Sequence, residues 1–233
     1  MSAVPTAVVI GNSDGIGLAL TELLLAEGWQ VTGISRSRSR VEAASYDHRV
    51  VDVCDERYAS QLAAAVERLN PLDACVYCVG TGEFLDLETL DTDRRVFETN
   101  LLGAVTTARV VLPGMVRARR GHLIGLSSQA DVLSDPNAPS YAASKAGMTS
   151  YLEGLALACR PHGVHVTNVR FGFVDTKMAK SPVRPFMVSA DEAARRIRRC
   201  LERRPVRYTF PKRMAILVWF LRLRTHILRW TRT

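Results

Sequence analysis

The sequence predicts an α/β fold, a single doubly wound parallel sheet of about seven strands with helices on both faces. Two observations predict it. Short apolar, β-branched runs alternate with stretches of helical spacing along the 233 residues, and crossover helices between parallel strands are the arrangement that fits such alternation. A glycine-rich turn also follows the first apolar run and opens the first helical stretch. The chain is long enough for one large core and shows no internal repeat, low-complexity tract or linker, so residues 1–211 read as one domain and 212–233 as a basic amphipathic C-terminal helix.

Ala7 to Ile10 is the first strand, and Leu18 to Ala26 has helical patterning. Between them lies Gly11-Asn-Ser-Asp-Gly15-Ile-Gly17. A strand, a glycine turn and a helix N-terminus make an anion site, because free backbone N–H groups and the positive end of the helix dipole face the same point. Glycines at 11, 15 and 17 suit a tight turn and the close approach of a pyrophosphate, in the spacing G-x-x-x-G-x-G. Gly11, Ser13, Gly15, Ile16 and Gly17 are therefore the expected dinucleotide contacts. Gln30 to Ser35 is the second strand, whose end meets the adenosine ribose in such folds. Arg36 follows it, with Arg38 and Arg40 close behind. A basic residue there accommodates a 2′-phosphate, so the charge favours NADP(H) over NAD(H); Asp14 opposes it, and a solvated basic loop is the alternative.

His48 to Val53 is the third strand, with Asp52 at its end, and an amphipathic helix follows over Asp55 to Leu69. Asp73 to Val79 is the fourth strand, ending in Gly80-Thr-Gly82, and Asp91 to Arg119 reads as one long helix with Asn100 in its middle. Gly121 to Ser128 is the fifth strand, Ser140 to Arg160 a helix and Val164 to Val169 the sixth strand. Ser189-Ala-Asp-Glu192 has the form of a capping box opening a helix to about Glu202, and Val206 to Phe210 is a seventh strand stopped by Pro211. Cys75 and Cys78 have C-x-x-C spacing but fall in a strand, where i and i+3 face opposite ways, so packing is expected rather than a metal or redox pair. Five cysteines without a disulfide framework suggest reduced thiols in a cytosol-like compartment.

The chemistry centres on Tyr141-Ala-Ala-Ser-Lys145 and on Ser128, thirteen residues earlier. Residues i and i+4 share a helix face, which sets the phenol beside the ammonium. A phenol with an ordinary pKa of about 10 is a poor acid or base near neutrality, and a neighbouring positive charge favours its ionised form. Lys145 is thus expected to tune Tyr141 for proton transfer, while Ser128 at the end of its strand donates a hydrogen bond to the oxygen on which charge grows.

The net charge of +8 is unevenly placed: residues 195–233 carry thirteen Arg or Lys and one acid, Glu202, whereas residues 1–194 carry eighteen bases and twenty-two acids. Met1 to Gly11 lacks the pattern of a secretion signal, and no run of eighteen or more apolar residues is present. The segment Met214-Ala-Ile-Leu-Val-Trp-Phe-Leu221 is nearly all apolar and is followed by Arg222, Arg224, Arg229 and Arg232. Two readings stand for it: packing on the domain or a partner subunit, and an interfacial helix on an anionic membrane. No nucleic-acid-binding module accompanies its positive charge.

These motifs, in this order, resemble the short-chain dehydrogenase/reductase family over about Ala7 to Pro211. The matching residues are the glycine turn, Asp52-Val53, Asn100 within Phe97-Glu-Thr-Asn100, Ser128, and Tyr141 with Lys145. The resemblance implies a Rossmann domain, a nicotinamide cofactor and a catalytic tetrad of Asn100, Ser128, Tyr141 and Lys145. Asp52 and Val53 would meet the adenine, Gly80 would pass the cofactor, and Gly172, Val174 and Thr176 would meet the nicotinamide end. Asn100 would position a water joining Lys145 to solvent. Two places depart from the family pattern. Tyr77-Cys-Val-Gly80 stands where Asn-Asn-Ala-Gly is usual, so bracing of the central strands is expected to be lost; Phe171-Gly172 stands for Pro-Gly, so a looser loop is expected. The expected partners are a small carbonyl or alcohol, bulky or lipid-like because the segment Lys177 to Val188 is short, and further copies of the chain in a homo-oligomer. A cytoplasmic protein, peripheral to a membrane through its tail, or a non-catalytic dinucleotide-binding scaffold completes the range of expectations.

Overall fold

A computed structural model describes residues 4–179 and 181–230, with side chains up to Arg222. Seven strands form one sheet: β1 (Thr6–Ile10), β2 (Gln30–Ser35), β3 (Tyr46–Val50), β4 (Ala74–Tyr77), β5 (His122–Ser128), β6 (His165–Phe171) and β7 (Arg207–Phe210). Their order is β3-β2-β1-β4-β5-β6-β7, and every neighbouring pair is parallel. The chain builds outward from β1 to one edge, returns to β4 beside β1, and builds to the other edge. The order therefore reverses between β1 and β4, and the crevice beyond the C-terminal ends of these two strands is where such sheets bind ligands.

The helices are α1 (Gly15–Ala26), α2 (Tyr58–Arg68), α3 (Asp91–Phe97), α4 (Gly103–Ala118), α5 (Pro139–Cys159), α6 (Ala190–Arg203) and α7 (Lys212–Trp230). They divide the core in two. On one face α2, α4 and α5 bury Leu62, Ala104, Val111, Met148 and Leu152 against Val8, Ile10, Cys75 and Tyr77; on the other, α1 and α6 bury Leu20, Leu24, Ala193 and Ile197 against Ala7, Val9, Ala74 and Val76. The period-2 alternation of a strand sends Cys75 into the first layer and Cys78 toward the second, so the C-x-x-C spacing brings no pair together. All five cysteines are free.

Element types follow the sequence pattern, with instructive shifts. β3 starts and ends earlier than expected, leaving Asp52 in the turn beyond it, whereas β6 runs on through Arg170 to Phe171. Ser189 caps α6 by accepting from the Glu192 N–H at 3.1 Å, but the Glu192 carboxylate turns to Arg195 and Arg196, so only half of the capping box forms. The long helix expected over Asp91 to Arg119 is divided by a π-helical turn, Glu98–Leu102, that contains Asn100. The stretch Asp91–Ala118 is apolar and long enough to cross a membrane by length and composition, yet Ala104, Ala108, Val111, Leu112 and Met115 lie in the core, which accounts for its apolar face.

The π turn has a physical cause in the same segment that departs from the family pattern. Tyr77, fully buried on β4, donates its hydroxyl hydrogen to the Thr99 carbonyl and so occupies an acceptor that a regular helix would use internally. Gly103 makes room for this, since a Cβ there would overlap the Tyr77 hydroxyl. With no Asn at this position, a phenol instead joins the central strand to the helix opposite.

Gly103→Ala is expected to destabilise the protein by roughly 1–3 kcal/mol, the usual cost of overpacking, despite the higher helix propensity of Ala. Tyr77→Phe in the same chain should recover part of that loss. Denaturant melts of the two single variants and the double variant measure the coupling; strictly additive effects would show that the two groups do not compete for this space.

Candidate active site

The glycine turn works by close approach. Gly15 has φ +53°, a left-handed conformation, and a Cβ there would stand 2.9 Å from the Thr176 methyl. A Cβ on Gly17 would overlap the Gly11 carbonyl. The turn after β1 and the loop after β6 are therefore face to face, as expected for two parts of one dinucleotide cradle. Asp14 caps α1 by accepting from the Gly15 N–H at 2.8 Å and pairs with Lys177 at 2.7 Å. Lys177, followed by the Gly15 N–H, holds the Asp14 carboxyl below the usual range. The acid that opposes a second anion at this turn thus has its own counter-ion, and the pair ties the loop after β6 to the turn.

At the end of β2 lies a directed chain of hydrogen bonds. Asn12, fully buried, donates from Nδ2 to the Tyr46 hydroxyl. Tyr46 Oη stands 2.8 Å from His48 Nδ1, and His48 Nε2 stands 3.2 Å from the Ser37 carbonyl. Burial lowers the His48 pKa, favouring the neutral ring. With Tyr46 donating to Nδ1 and Nε2–H donating to Ser37, every link has one donor and one acceptor. Ser35 Oγ also donates to the Ser37 carbonyl at 2.8 Å, and Ser37 Oγ donates to Ser13 Oγ at 3.2 Å. This chain fixes the turn that carries Arg36. Arg40 pairs with Glu22 at 3.3 Å, whereas Arg36 and Arg38 are exposed and make no ion pair or hydrogen bond among the described residues.

Beyond β4 and β5 the remaining expected residues converge. A Cβ on Gly80 would lie 3.4 Å from Lys145 Nζ and 3.7 Å from Asn100 Oδ1, and one on Gly82 would lie 3.0 Å from the Tyr141 ring. Lys145, 2% exposed, donates to the Leu126 carbonyl at 2.8 Å, and its Nζ stands 5.9 Å from the Tyr141 ring centroid. Asn100 accepts from the Thr81 N–H at 2.8 Å and donates to the Thr81 carbonyl at 2.8 Å and to Ser144 Oγ at 2.9 Å. Both its amide hydrogens are committed, so the side chain braces the β4 loop against α5. Ser128 Oγ accepts from the Ala130 N–H at 3.1 Å, which leaves its hydrogen free to donate.

The electrostatics differ from the expectation for Tyr141. Burial raises the phenol pKa, a hydrogen bond with Ser128 lowers it, and Asp131 adds to the rise. Burial also brings the Lys145 ammonium down to about 8. Desolvation acts on both partners, against the charged form of each, and is the largest cause of both shifts.

Several supports carry no motif. Asp131, just past Ser128, forms a two-pronged ion pair with Arg170 at the end of β6 and accepts from Thr149 Oγ1 at 2.6 Å, with the Asp131 side chain 1% exposed. This pair anchors the turn after Ser128; a charged residue continuing an apolar strand was its one sequence signal. Asp52 already pairs with Arg95 at 2.6 Å and accepts from the Cys54 N–H, and the Val53 side chain packs in the core, so Val53 can present only its backbone to a ligand. The loop holding Gly172, Val174 and Thr176 is not loosened by Phe171. Gly172 N–H donates to Phe210, Asp175 N–H to Val188 and Val188 N–H to Phe173, all between 2.8 and 3.0 Å, closing the base of the loop.

A doubly wound parallel sheet with a glycine cradle, and a Ser, Tyr and Lys gathered beyond its central strands, defines the class as a dinucleotide-dependent oxidoreductase fold. The family model for short chain dehydrogenase matches residues 5–185, and the chain belongs to the short-chain dehydrogenase/reductase family, whose members use nicotinamide dinucleotides. It is 32% identical over 238 residues to a putative ketoacyl reductase of Streptomyces coelicolor, covering 92% of this chain and 88% of that protein. It is 31% identical over 178 residues to the 3-ketodihydrosphingosine reductase of Bos taurus, covering 69% of this chain and 53% of that protein. A solved short-chain dehydrogenase from Streptomyces avermitilis superposes with a TM-score of 0.82 at 23% identity, covering 99% and 96% of the two chains, which shows the shared fold.

The buried lysine predicts a pH signature. Its pKa is near 8 in the folded chain against an ordinary 10.5, so between these values the unfolded chain binds more protons, and stability rises with pH as the native ammonium is relieved of its charge. Below about pH 8 the full burden applies, on the order of 3 kcal/mol. Lys145→Met should therefore melt higher than the wild type at pH 7, with the gap closing as pH climbs past 8. A gap that does not change with pH would show that Lys145 is not buried as a cation.

Proposed function

We propose that this protein is an NADP(H)-dependent ketone reductase whose substrate carries its carbonyl on a bulky or lipophilic chain. The observation that carries the proposal is the convergence of Tyr141, Lys145 and Asn100 around Gly80 and Gly82, with Ser128 hydrogen-bonded to Tyr141, beside the reversal point of the sheet. A protein that only bound a dinucleotide would need no proton donor there, which weighs against the scaffold reading. The residues fit the cofactor: a glycine cradle whose Asp14 is paired with Lys177, and Arg36 and Arg38 without an ion pair among the described residues, on a braced turn suited to a 2′-phosphate. The carbonyl class is supported by the ketoacyl and ketodihydrosphingosine reductases among the relatives. The loop between β6 and α6 supports lipophilicity, because it turns Val183, Phe186 and Met187 outward and sets the Met178 sulfur beside Gly80.

When bound, the nicotinamide supplies the hydride. The side chains handle the oxygen and its proton. Ser128 donates a hydrogen bond to the carbonyl oxygen and holds it next to the phenol. Tyr141, kept protonated by its burial, gives its proton to that oxygen as negative charge develops there. Lys145, a cation over most of the neutral range, stabilises the phenolate left behind, which is when its charge matters most. Asn100 keeps this geometry by holding Thr81 and Ser144, the residue before Lys145.

Tyr141→Phe should leave NADPH binding nearly intact and lower ketone reduction by a factor on the order of a hundred or more; wild-type turnover in this variant would remove Tyr141 from the chemistry. Fluorescence titration with NADPH and NADH at fixed ionic strength tests the cofactor. Arg36→Ala should weaken NADPH by roughly tenfold or more, the scale of a lost charge-assisted hydrogen bond, and leave NADH unchanged. Equal weakening of both nucleotides would refute the role given to Arg36.

A further inference from the structure

Over its described side chains, up to Arg222, the helix α7 is only partly used by the fold. Its inner edge is seated on the active site's own scaffold: Val218 is buried, Met214 lies beside Gly172, and the Pro211 carbonyl just before the helix accepts from Gln129 Nε2 at 3.2 Å. Gln129 follows Ser128, and Gly172 opens the loop that leads to Thr176. The outer edge presents Ile216, Leu217, Trp219, Phe220 and Leu221 to solvent, with Trp219 58% and Phe220 57% exposed. These two rings pack edge to face at 5.0 Å, making one aromatic ridge. Lys212 and Arg213, both exposed, precede it. The sequence continues with the same mixture of Arg, Leu, Ile and Trp through Trp230.

Apolar bulk of this kind needs a cover, and charge decides which. Residues 195–233 carry thirteen bases and one acid. A second copy pressed on this face would set two strongly cationic segments against each other. An anionic lipid surface answers both features at once, taking the aromatic ridge into the headgroup and acyl boundary and pairing its phosphates with the flanking cations. At nineteen residues the helix is about 28 Å long, but its scattered arginines suit a position in the interface rather than across it.

We infer that α7 docks this protein on anionic membranes, in the plane of the interface, with the loop between β6 and α6 turned to the same surface. That loop starts at Gly172, where α7 is seated, and exposes Val183, Phe186 and Met187. A chain-bearing ketone could then pass from the acyl layer to Ser128 and Tyr141 without crossing water. Docking stands on α7 alone, while the route of the substrate rests on the proposed function.

The test is co-sedimentation of the full chain with vesicles of phosphatidylcholine alone and of phosphatidylcholine mixed with phosphatidylglycerol, at low and high salt, alongside NADPH titration and the sedimentation velocity of the lipid-free protein. The wild type should bind the mixed vesicles, bind the neutral ones weakly, and lose affinity as salt rises. The double variant Trp219→Ser, Phe220→Ser should lose roughly tenfold or more in vesicle affinity with NADPH binding unchanged, which shows an intact fold. Three outcomes overturn docking: a wild type that stays in the supernatant with every vesicle, a double variant that binds as well as the wild type, or a lipid-free oligomer that the double variant dissociates, which would assign the ridge to a subunit interface. Vesicle binding with no NADPH binding would instead sink the proposed function and leave docking in place.

Discussion

The burial of one ammonium group organises the site. Lys145 sits on α5 with 2% of its surface exposed, and the Leu126 carbonyl on β5 accepts one of its hydrogens. Taking a cation out of water is costly, and the depressed pKa is the measure of that cost. Such a group stays in place only if its surroundings cannot relax around it. The neighbouring parts are accordingly over-determined: Asn100 spends three hydrogen bonds on Thr81 and Ser144, Tyr77 locks the π turn, and the Asp131–Arg170 pair pins the chain just past Ser128. The rigidity is what lets a poorly solvated amine wait beside a phenol.

Much of this was legible in the residues, and the limits of legibility are physical. Period-2 and period-3.6 patterns are local, so all seven strands and the helices between them could be read from runs such as Gln30 to Ser35, which matches β2 end to end. The motif residues could be read as well, because phosphate cradles and proton donors demand particular residue types at particular spacings. What could not be read is whatever depends on two distant residues meeting. The π turn looked like uninterrupted helix because its cause, Tyr77, lies on another element. The base of the loop after β6 looked loose because the pairing of Val174 with Val188 spans the segment in between. The upward shift of the Tyr141 pKa is hidden for the same reason: helical spacing reveals the neighbouring charge but not the depth of burial, and burial is the largest cause of the shift.

The two ends of the cleft solve opposite problems. At the catalytic end, polar groups such as Asn100 and Lys145 are buried and hydrogen-bonded to the scaffold, so their positions are fixed and their charges expensive. At the outer end of β2, the side chains meant for solvent are left unpaired on a rigid base: Arg36 and Arg38 project from a turn held by the Asn12–Tyr46–His48 chain. A backbone fixed in advance reduces the ordering cost when a charged ligand arrives. The hydroxyls of Ser13, Ser35 and Ser37 are already bonded to one another or to backbone and would have to exchange partners, whereas the guanidinium groups would not. Positive charge, more than hydroxyl count, is therefore the stronger lever at this end.

The same contrast bears on the lopsided charge of the chain. In residues 1–194 acids slightly outnumber bases, and pairs such as Arg68 with Asp47 tie a helix to the sheet. On α6 the arginines that face the body of the fold find acids, Arg196 with Glu192 and Arg198 with Glu27 and Glu202. The surplus lies where acids run out, from the end of α6 onward, and it coincides with a helix, α7, whose Ile216, Trp219 and Phe220 face outward. Folding alone would favour the reverse of both features, since exposed aromatic surface and accumulated like charge each work against a compact soluble chain. Their coincidence on α7, which is seated against the segments that follow Ser128 and Phe171, is better accounted for by what the helix meets outside the domain than by anything it stabilises within it.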